Sequence, residues 1–412
     1  MKMQPEQARA ASAAQKADGA KKTCVYMFVD ALGWEIAQRH KFLADALPFR
    51  ERVKMQFGYS STAVPTILSG VSPSEHGHFS FFYYDPARSP FKPFKYVKYF
   101  FGAGLHPRCL TNRGRVRRLV SRLTAKLCGY TGYFQLYGLP YDKLPYFDYC
   151  EKTDIFARGG LAPVKNLRDV LEESGVKFHI SDWRKSEAEN MDAAESAIAG
   201  GVDFAFVYTA DFDSFLHDNV FDESAISERL KSYESKVKRL MGALEKTGRP
   251  HKFTVISDHG MTPLKGTADL RQTIASAKLK FGRDFACVLD STMARFWYLK
   301  DGAEAAIRGA FGQSGLPGAF VTDEEKRAYG IDFPMNRFGD DIFLMDAGVQ
   351  ISPSDMGAKA LNGMHGFSPE DADSYACMLS TEAPATPPKE VKDFFRLMKA
   401  DIGEAWQGGG PA

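Results

Sequence analysis

Two hydrophobic rhythms alternate along the chain. The run "TCVYMFVDALG" (23–33) is continuously apolar and β-prone, then stops at Asp30 and a glycine. A strand apolar on both faces belongs inside a parallel sheet. "DFAFVYTADFD" (203–213) and "KFTVISDHGM" (252–261) repeat the pattern, while "KFHI" (177–180) and "FACVLD" (285–290) are shorter strand candidates. Between them, "NLRDVLEESG" (166–175) and "ESAISERLKSYESKVKRLMGALEKTG" (223–248) carry helical spacing. This alternation predicts an α/β fold with a mainly parallel central sheet flanked by helices. Ligands of such folds gather beyond the carboxyl ends of the strands. Three of these strands end there in Asp or His.

Two segments break the alternation. Residues 80–160 are dense in aromatic and basic side chains, as in "FFYYDPARSPFKPFKYVKYFFGAG" and "RGRVRRLVSRLTAKLCGYTGYF", and are expected to form a cap. Residues 291–345 predict a small β-α-β insert. Residues 1–22 read as a mobile tail without the apolar core of a secretory signal, leaving 23–412 as the catalytic domain. No apolar run approaches the ~20 residues of a membrane span, so the cytoplasm is the expected location.

Composition changes this picture little. The 412 residues are 44% hydrophobic and 25% charged, with a formal net charge of +2, which argues against a chain dominated by nucleic-acid binding. None of the six cysteines forms a C-x-x-C pair, so a thiolate zinc site is not expected and free thiols are.

The chemistry lies at the strand ends. Asp30 follows the first strand, "DSFLH" supplies Asp213 and His217, "SDHG" supplies Asp258 and His259, and "GMHGF" supplies His365. Each piece alone has a plain reading: a helix cap, a shared helix face, a turn, a loop histidine. Together they make six oxygen and imidazole ligands, a set suited to zinc, or alternatively manganese, rather than magnesium alone. Six ligands suffice for two metals, and two metals about 3.5–4 Å apart form a clamp for in-line displacement at phosphorus.

The order of these pieces resembles the alkaline phosphatase superfamily, most closely its type I phosphodiesterase/nucleotide pyrophosphatase branch. The resemblance rests on "FVDALGW", "STAVPTILSGVSPSEHGHF", "DSFLH", "ISDHGM", "RFGDDIFLMDAG" and "GMHGF". It implies an alkaline phosphatase-like fold, with one metal held by Asp213, His217 and His365. It implies a second metal held by Asp30, Asp258, His259 and the oxygen of a Ser or Thr nucleophile. The nucleophile opens a helix ten residues before the glycine of a "TG" pair, matched here by Ser69 and Gly70. Counting back selects Ser60, with Ser61 and then Thr62 as alternatives, because "SSTAVP" departs from the family's usual residues. The usual phosphate-binding Asn is missing, so that contact is expected from elsewhere. His76 and His78 are read as structural, Asp211 as a strand-end cap or support for a ligand, and "GDD" (339–341) as a turn that supports the ligands. His40, His106, His179 and His251 are read as surface or packing residues.

The resemblance therefore implies a two-metal phosphodiesterase or pyrophosphatase acting through a covalent serine intermediate on a small-molecule, glycan or lipid phosphodiester. A phosphomonoesterase, phosphonate hydrolase or phospho-group transferase on the same scaffold is the alternative. A sulfatase is disfavoured because the C/S-x-P-x-R arginine is absent, and a non-catalytic binding protein because the ligand set is intact. The basic insert has three readings: a substrate cap, a helix resting on anionic lipid, or a solvated face above an aromatic core.

Overall fold

The computed structural model describes residues 21–96 and 114–407. Most of the expected tail, together with His106, Cys109 and Arg113, lies outside them.

The central sheet has six strands. β1 (Thr23–Val29), β2 (Phe49–Val53), β5 (Phe178–Ile180), β6 (Phe204–Thr209) and β7 (His251–Ile256) join strand Ala376–Ser380 in the order β2, Ala376–Ser380, β7, β1, β6, β5. The strands β7, β1, β6 and β5 are parallel, and Ala376–Ser380 runs against both of its neighbours. The alternation along β1 splits the core into two layers. Val25, Met27 and Val29 pack with helices Glu187–Ala199 and Glu223–Lys246 on one face. Cys24, Tyr26 and Phe28 pack on the other with helices Ser60–Ser69, Leu167–Ser174 and Asp393–Gln407. Fully burying each of the larger aliphatic side chains contributes roughly 1.5–3 kcal/mol. That is why β1, covered on both sides, carries no charged side chain before Asp30.

The strand expected at "FACVLD" forms over Phe285–Leu289. Phe285–Leu289 forms no part of the central sheet; it opens a four-stranded antiparallel sheet with Met293–Tyr298, Asp341–Met345 and Gly318–Phe320. Residues 290–292 connect the first two of these strands, and so short a link closes only an antiparallel hairpin. The expected β-α-β insert is likewise longer, running strand, helix, strand, helix, strand, with Gly318–Phe320 the unanticipated strand.

The aromatic insert packs on this second sheet. β3 (Phe82–Tyr84) and β4 (Phe147–Tyr149) pair antiparallel, and Phe82, Phe91 and Tyr149 share a core with Val288, Trp297 and Ile342. The basic stretch forms helix Gly114–Cys128. Its Arg117 is buried. Cys128, Cys150, Cys287 and Cys377 are free thiols. Among the described residues no helix is long and apolar enough to cross a membrane.

One buried polar cluster ties the last helix to the sheet. Lys252 Nζ donates to Asp401 at 2.9 Å and Tyr26 Oη donates to it at 2.6 Å, all three side chains being buried. Removing one partner strands a charge away from water. Asp401→Ala should lower stability by about 3–5 kcal/mol in urea denaturation, whereas Lys252→Met combined with Asp401→Leu should recover most of the loss.

Candidate active site

β1 lies between β6 and β7, and the register pairs Phe28 with Tyr208 on one side and Ile256 on the other. Asp30, Asp213 and Asp258 therefore leave three neighbouring strands at one end of the sheet. Asp213 and His217 share a face of helix Asp211–Asn219, one turn apart. The loops after β1 and β7 meet backbone to backbone, and a Cβ on Gly33 would stand 2.6 Å from the Cα of Gly260.

The six sequence-predicted ligands come together. His217 Nε2 lies 3.4 Å from Asp213 Oδ2, and His365 Nε2 lies 3.4 Å from Asp213 Oδ1. His259 Nε2 lies 3.2 Å from Asp258 Oδ2 and 3.7 Å from Asp30 Oδ1. The rings of His259 and His365 stack with centroids 3.9 Å apart. Two groups of ligand atoms lie within 4.8 Å of one another: Asp213, His217 and His365, and Asp30, Asp213 and His259. Asp213 is common to both, although the sequence assigns it to the first alone.

The hydrogen bonds test whether cations fit here. His217 Nδ1 meets the carbonyl of Gly363 at 2.8 Å and His259 Nδ1 meets that of Gly260 at 3.0 Å. Those carbonyls fix the proton on Nδ1 in each ring and leave the Nε2 lone pairs facing carboxylates. Asp258 Oδ1 accepts from the N–H of Ala31 at 3.3 Å and of His259 at 3.0 Å. Asp30 Oδ1, Asp213 Oδ1 and Asp258 Oδ2 are buried without a hydrogen-bond partner, as is His365 Nδ1. Orphaned acceptors facing other acceptors are what bound cations would satisfy, so the donor set fits divalent metals.

The electrostatics agree. Burial, then the charges of Asp258 and Asp213, push the Asp30 carboxyl well above its ordinary value. Burial also raises Asp258 against the opposing pull of His259. Burial works to raise Asp213 too, but His365 and His217 outweigh it and hold the carboxyl down. Burial and the neighbouring His259 push His365 well below the usual imidazole range. For His217 burial is opposed and overcome by Asp213, which raises it.

The three hydroxyls of Ser60, Ser61 and Thr62 part ways. Ser60 is the first residue of helix Ser60–Ser69, and its Oγ lies 3.0 Å from His259 Nε2. Ser61 Oγ turns away to donate to the carbonyl of Phe79 at 3.3 Å. Thr62 is fully buried and donates to that same carbonyl. Tyr59 caps the helix through its backbone, accepting from Thr62 N at 2.7 Å and Ala63 N at 2.9 Å. Its hydroxyl accepts from Thr292 N at 3.0 Å and meets Thr292 Oγ1 at 2.8 Å. Thr292 Oγ1 donates onward to the carbonyl of Gly366 at 2.7 Å, beside His365. Gly366 has a φ of +88°, and a Cβ there would lie 2.6 Å from the Tyr59 ring.

The other candidates lie apart. His76 is buried against Thr66 Oγ1 at 3.0 Å, and His78 bonds its backbone. His40 faces Glu223, His251 bonds the carbonyl of Arg249, and His179 sits on edge strand β5. Asp211 neither caps its helix nor supports a ligand; it is exposed, 3.9 Å from Arg229. "GDD" is a turn, but its acids serve the second sheet. Asp340 accepts from Tyr298 N at 2.7 Å, and Asp341 pairs with Arg308.

A cavity of about 430 Å³ opens over the cluster, lined by Asp30, Ser60, Asp213, His217 and His365 together with residues not anticipated from the sequence. Phe81, Tyr133, Tyr137, Phe156, Trp183 and Tyr208 form an aromatic wall. Asp290 and Ser80 lie at its edge, held by the fully buried Arg295, whose Nε donates to Asp290 at 2.6 Å and Nη2 to Ser80 at 2.9 Å. The strand-end position of Asp290 in "FACVLD" repeated the signal that marked Asp30. Glu151, also in the wall, accepts from Tyr133 N at 3.2 Å, and burial pushes its carboxyl up to about 8.

This fold and donor set belong to metal-dependent phosphate-ester hydrolases. Residues 59–368 match the family model for type I phosphodiesterase/nucleotide pyrophosphatase, so the chain belongs to that family and is a hydrolytic enzyme. Among solved structures it resembles human ectonucleotide pyrophosphatase/phosphodiesterase 5, with a TM-score of 0.64 and 14% identity over 93% of this chain and 95% of that one. The murine protein of the same name, as an inactive variant in complex with AMP, gives a TM-score of 0.61 and 15% identity over 93% and 95% of the two chains. No curated protein matches the chain in sequence.

Glu151 offers a pH test of the wall. Its folded value of about 8 stands above the ordinary 4.5, so the folded state holds a proton that the unfolded chain has released. The stability it contributes is complete below pH 4.5 and is lost as pH rises through about 8. Glu151→Gln should therefore gain stability relative to the parent as pH rises across that window, read as a growing difference in Tm.

Proposed function

We propose that the chain is a two-metal phosphodiesterase or pyrophosphatase that works through a phosphoseryl intermediate on Ser60. The observation that carries this reading is Ser60 Oγ at 3.0 Å from His259 Nε2, beside buried carboxylate oxygens that lack partners. Asp213, His217 and His365 would hold one cation, and Asp30, Asp258 and His259, with the Ser60 oxygen, the other. Asp213 stands close to both sets. Oxygen and imidazole donors suit zinc, with manganese the alternative. When bound, the cations lower the pKa of the serine hydroxyl and offset charge on the phosphoryl group.

The chain's own groups do the rest. Ser60 Oγ passes its proton to solvent water and forms a bond to phosphorus while the bond to the leaving oxygen breaks. The leaving oxygen takes up a proton from water. In the second half, a water oxygen attacks phosphorus and gives up a proton to solvent, the bond to Ser60 breaks, and Oγ takes a proton back from solvent water. The N–H groups of Ser60 and Ser61 open helix Ser60–Ser69 ahead of those that the Tyr59 carbonyl accepts, and they favour an anion there. They offer the contact that the missing Asn would have made.

The aromatic wall favours a substrate with a planar or apolar organic group. The AMP complex of the murine neighbour supports a nucleotide among the candidates, and its inactive form differs by one threonine-to-alanine change, which supports a hydroxyl nucleophile.

Ser60→Ala should lower turnover of bis-p-nitrophenyl phosphate by at least about a thousandfold while leaving metal content near two ions per chain by mass spectrometry. Near-normal turnover would move the role to another hydroxyl. Thr62→Val should keep activity within a few-fold and cost about 0.5–1.5 kcal/mol of stability, since it removes one of the two hydroxyl bonds to the Phe79 carbonyl and leaves that of Ser61. Chelation should abolish turnover, and zinc or manganese should restore it; a chain that hydrolyses the ester equally well after exhaustive chelation would remove the metals from the reading.

A further inference from the structure

Helix Gly114–Cys128 is built inside out. Its buried positions are polar: Arg117 and Ser121. Its leucines face outward, with Leu119, Leu123 and Leu127 exposed by 57%, 53% and 87%. They recur every fourth residue and so form one stripe along the helix. Arg115, Arg118, Arg122 and Lys126 form a second exposed stripe beside it, at spacings of three and four. The helix contains no acidic residue, and none of these four cations has an ion-pair partner among the described residues. Nearby, Tyr96 is 52% exposed, with Lys95 over its ring at 4.8 Å.

The inward side explains why the helix holds this orientation. The Arg117 guanidinium donates to the carbonyls of Tyr137 and Leu139, and Ser121 Oγ accepts from Leu136 N at 3.0 Å. Arg117 also lies 4.5 Å from the centroid of the Tyr141 ring, on which Phe94 stacks. Rotating the helix to bury its leucines would break all of these bonds. The clamped loop carries Tyr137, part of the cavity wall. The helix is thus joined through one residue to the substrate cavity.

We propose that this helix docks the enzyme on an anionic lipid surface, with Leu119, Leu123 and Leu127 entering the acyl boundary and the four cations meeting lipid phosphates. A leucine stripe beside an acid-free cationic stripe is the pattern of helices that lie in the membrane interface. The charge selects this occupant: a second copy would bring four like charges against these four, whereas an anionic headgroup layer supplies opposite ones. The inference is independent of the cleavage chemistry.

The test is co-sedimentation of the full chain with vesicles. The chain should pellet with phosphatidylcholine vesicles containing phosphatidylglycerol and bind pure phosphatidylcholine at least about tenfold more weakly, with binding falling as salt is raised. Leu119→Ser with Leu123→Ser and Leu127→Ser should lose at least about tenfold in binding while keeping Tm and turnover of a soluble ester. Arg118→Gln with Arg122→Gln should lose binding to the anionic vesicles specifically. A parent chain that stays in the supernatant overturns the proposal, as does a leucine variant that binds like the parent. A dimer in sedimentation velocity that the leucine changes dissolve would assign the face to a second copy instead. Binding of single-stranded RNA that is tighter than vesicle binding and insensitive to the leucines would assign it to nucleic acid.

Discussion

Three aspartates that repel one another stand at the end of the central sheet. Asp30 and Asp258 are buried, Asp213 is close to both ligand groups, and each carries an oxygen with no hydrogen-bond partner. In a low-dielectric setting such oxygens cannot all stay ionised without cations between them. The upward push on Asp30 and Asp258 and the downward hold on Asp213 are one conflict seen from three positions. The parallel sheet makes the conflict unavoidable, because β6, β1 and β7 are adjacent and point the same way. Binding cations would turn this cost into affinity.

The surroundings keep the donors aimed at one another. Carbonyls of Gly260 and Gly363 orient His259 and His217. The relay from Tyr59 through Thr292 to Gly366 links the start of the Ser60 helix, the second sheet and the His365 loop. The buried Arg295–Asp290 pair holds Ser80, where the aromatic insert begins, to that same sheet. A buried pair of this kind contributes little net stability against well-packed apolar residues, yet breaking it is costly. Its effect is to fix the position of the cavity wall relative to the acids. The cluster of acids and imidazoles sits at the strand ends of the central sheet, whereas Phe81, Tyr133, Tyr137 and Phe156 of the wall come from the aromatic insert.

Much of this was legible in the residues. The apolar runs ending in Asp gave a sheet covered on both faces and four of the six candidate ligands, because a strand buried on both faces must be apolar until it leaves the sheet. Helical spacing gave Asp213 with His217. The strand at "FACVLD" was legible but the sheet it joins was not, since a short apolar run does not state whether its partner is parallel. The aromatic insert read as a cap, but nothing in the basic stretch sets Arg117 apart from the cations around it. Only packing shows that it points inward to carbonyls while the leucines point out.

The sequence by itself therefore determined the class of fold, the types of candidate ligand and their order along the chain. These are local properties: periodicity, and acids at strand ends. Tertiary structure alone decided among Ser60, Ser61 and Thr62 as neighbour of the acids, placed Asp213 within reach of both ligand groups, and brought Asp290 and Glu151 to the cavity. Each of those depends on contacts between segments far apart in sequence. The helix start that turns Ser60 toward His259 is set by Thr292 and Gly366, residues that spacing within "YSSTAVP" could not contain.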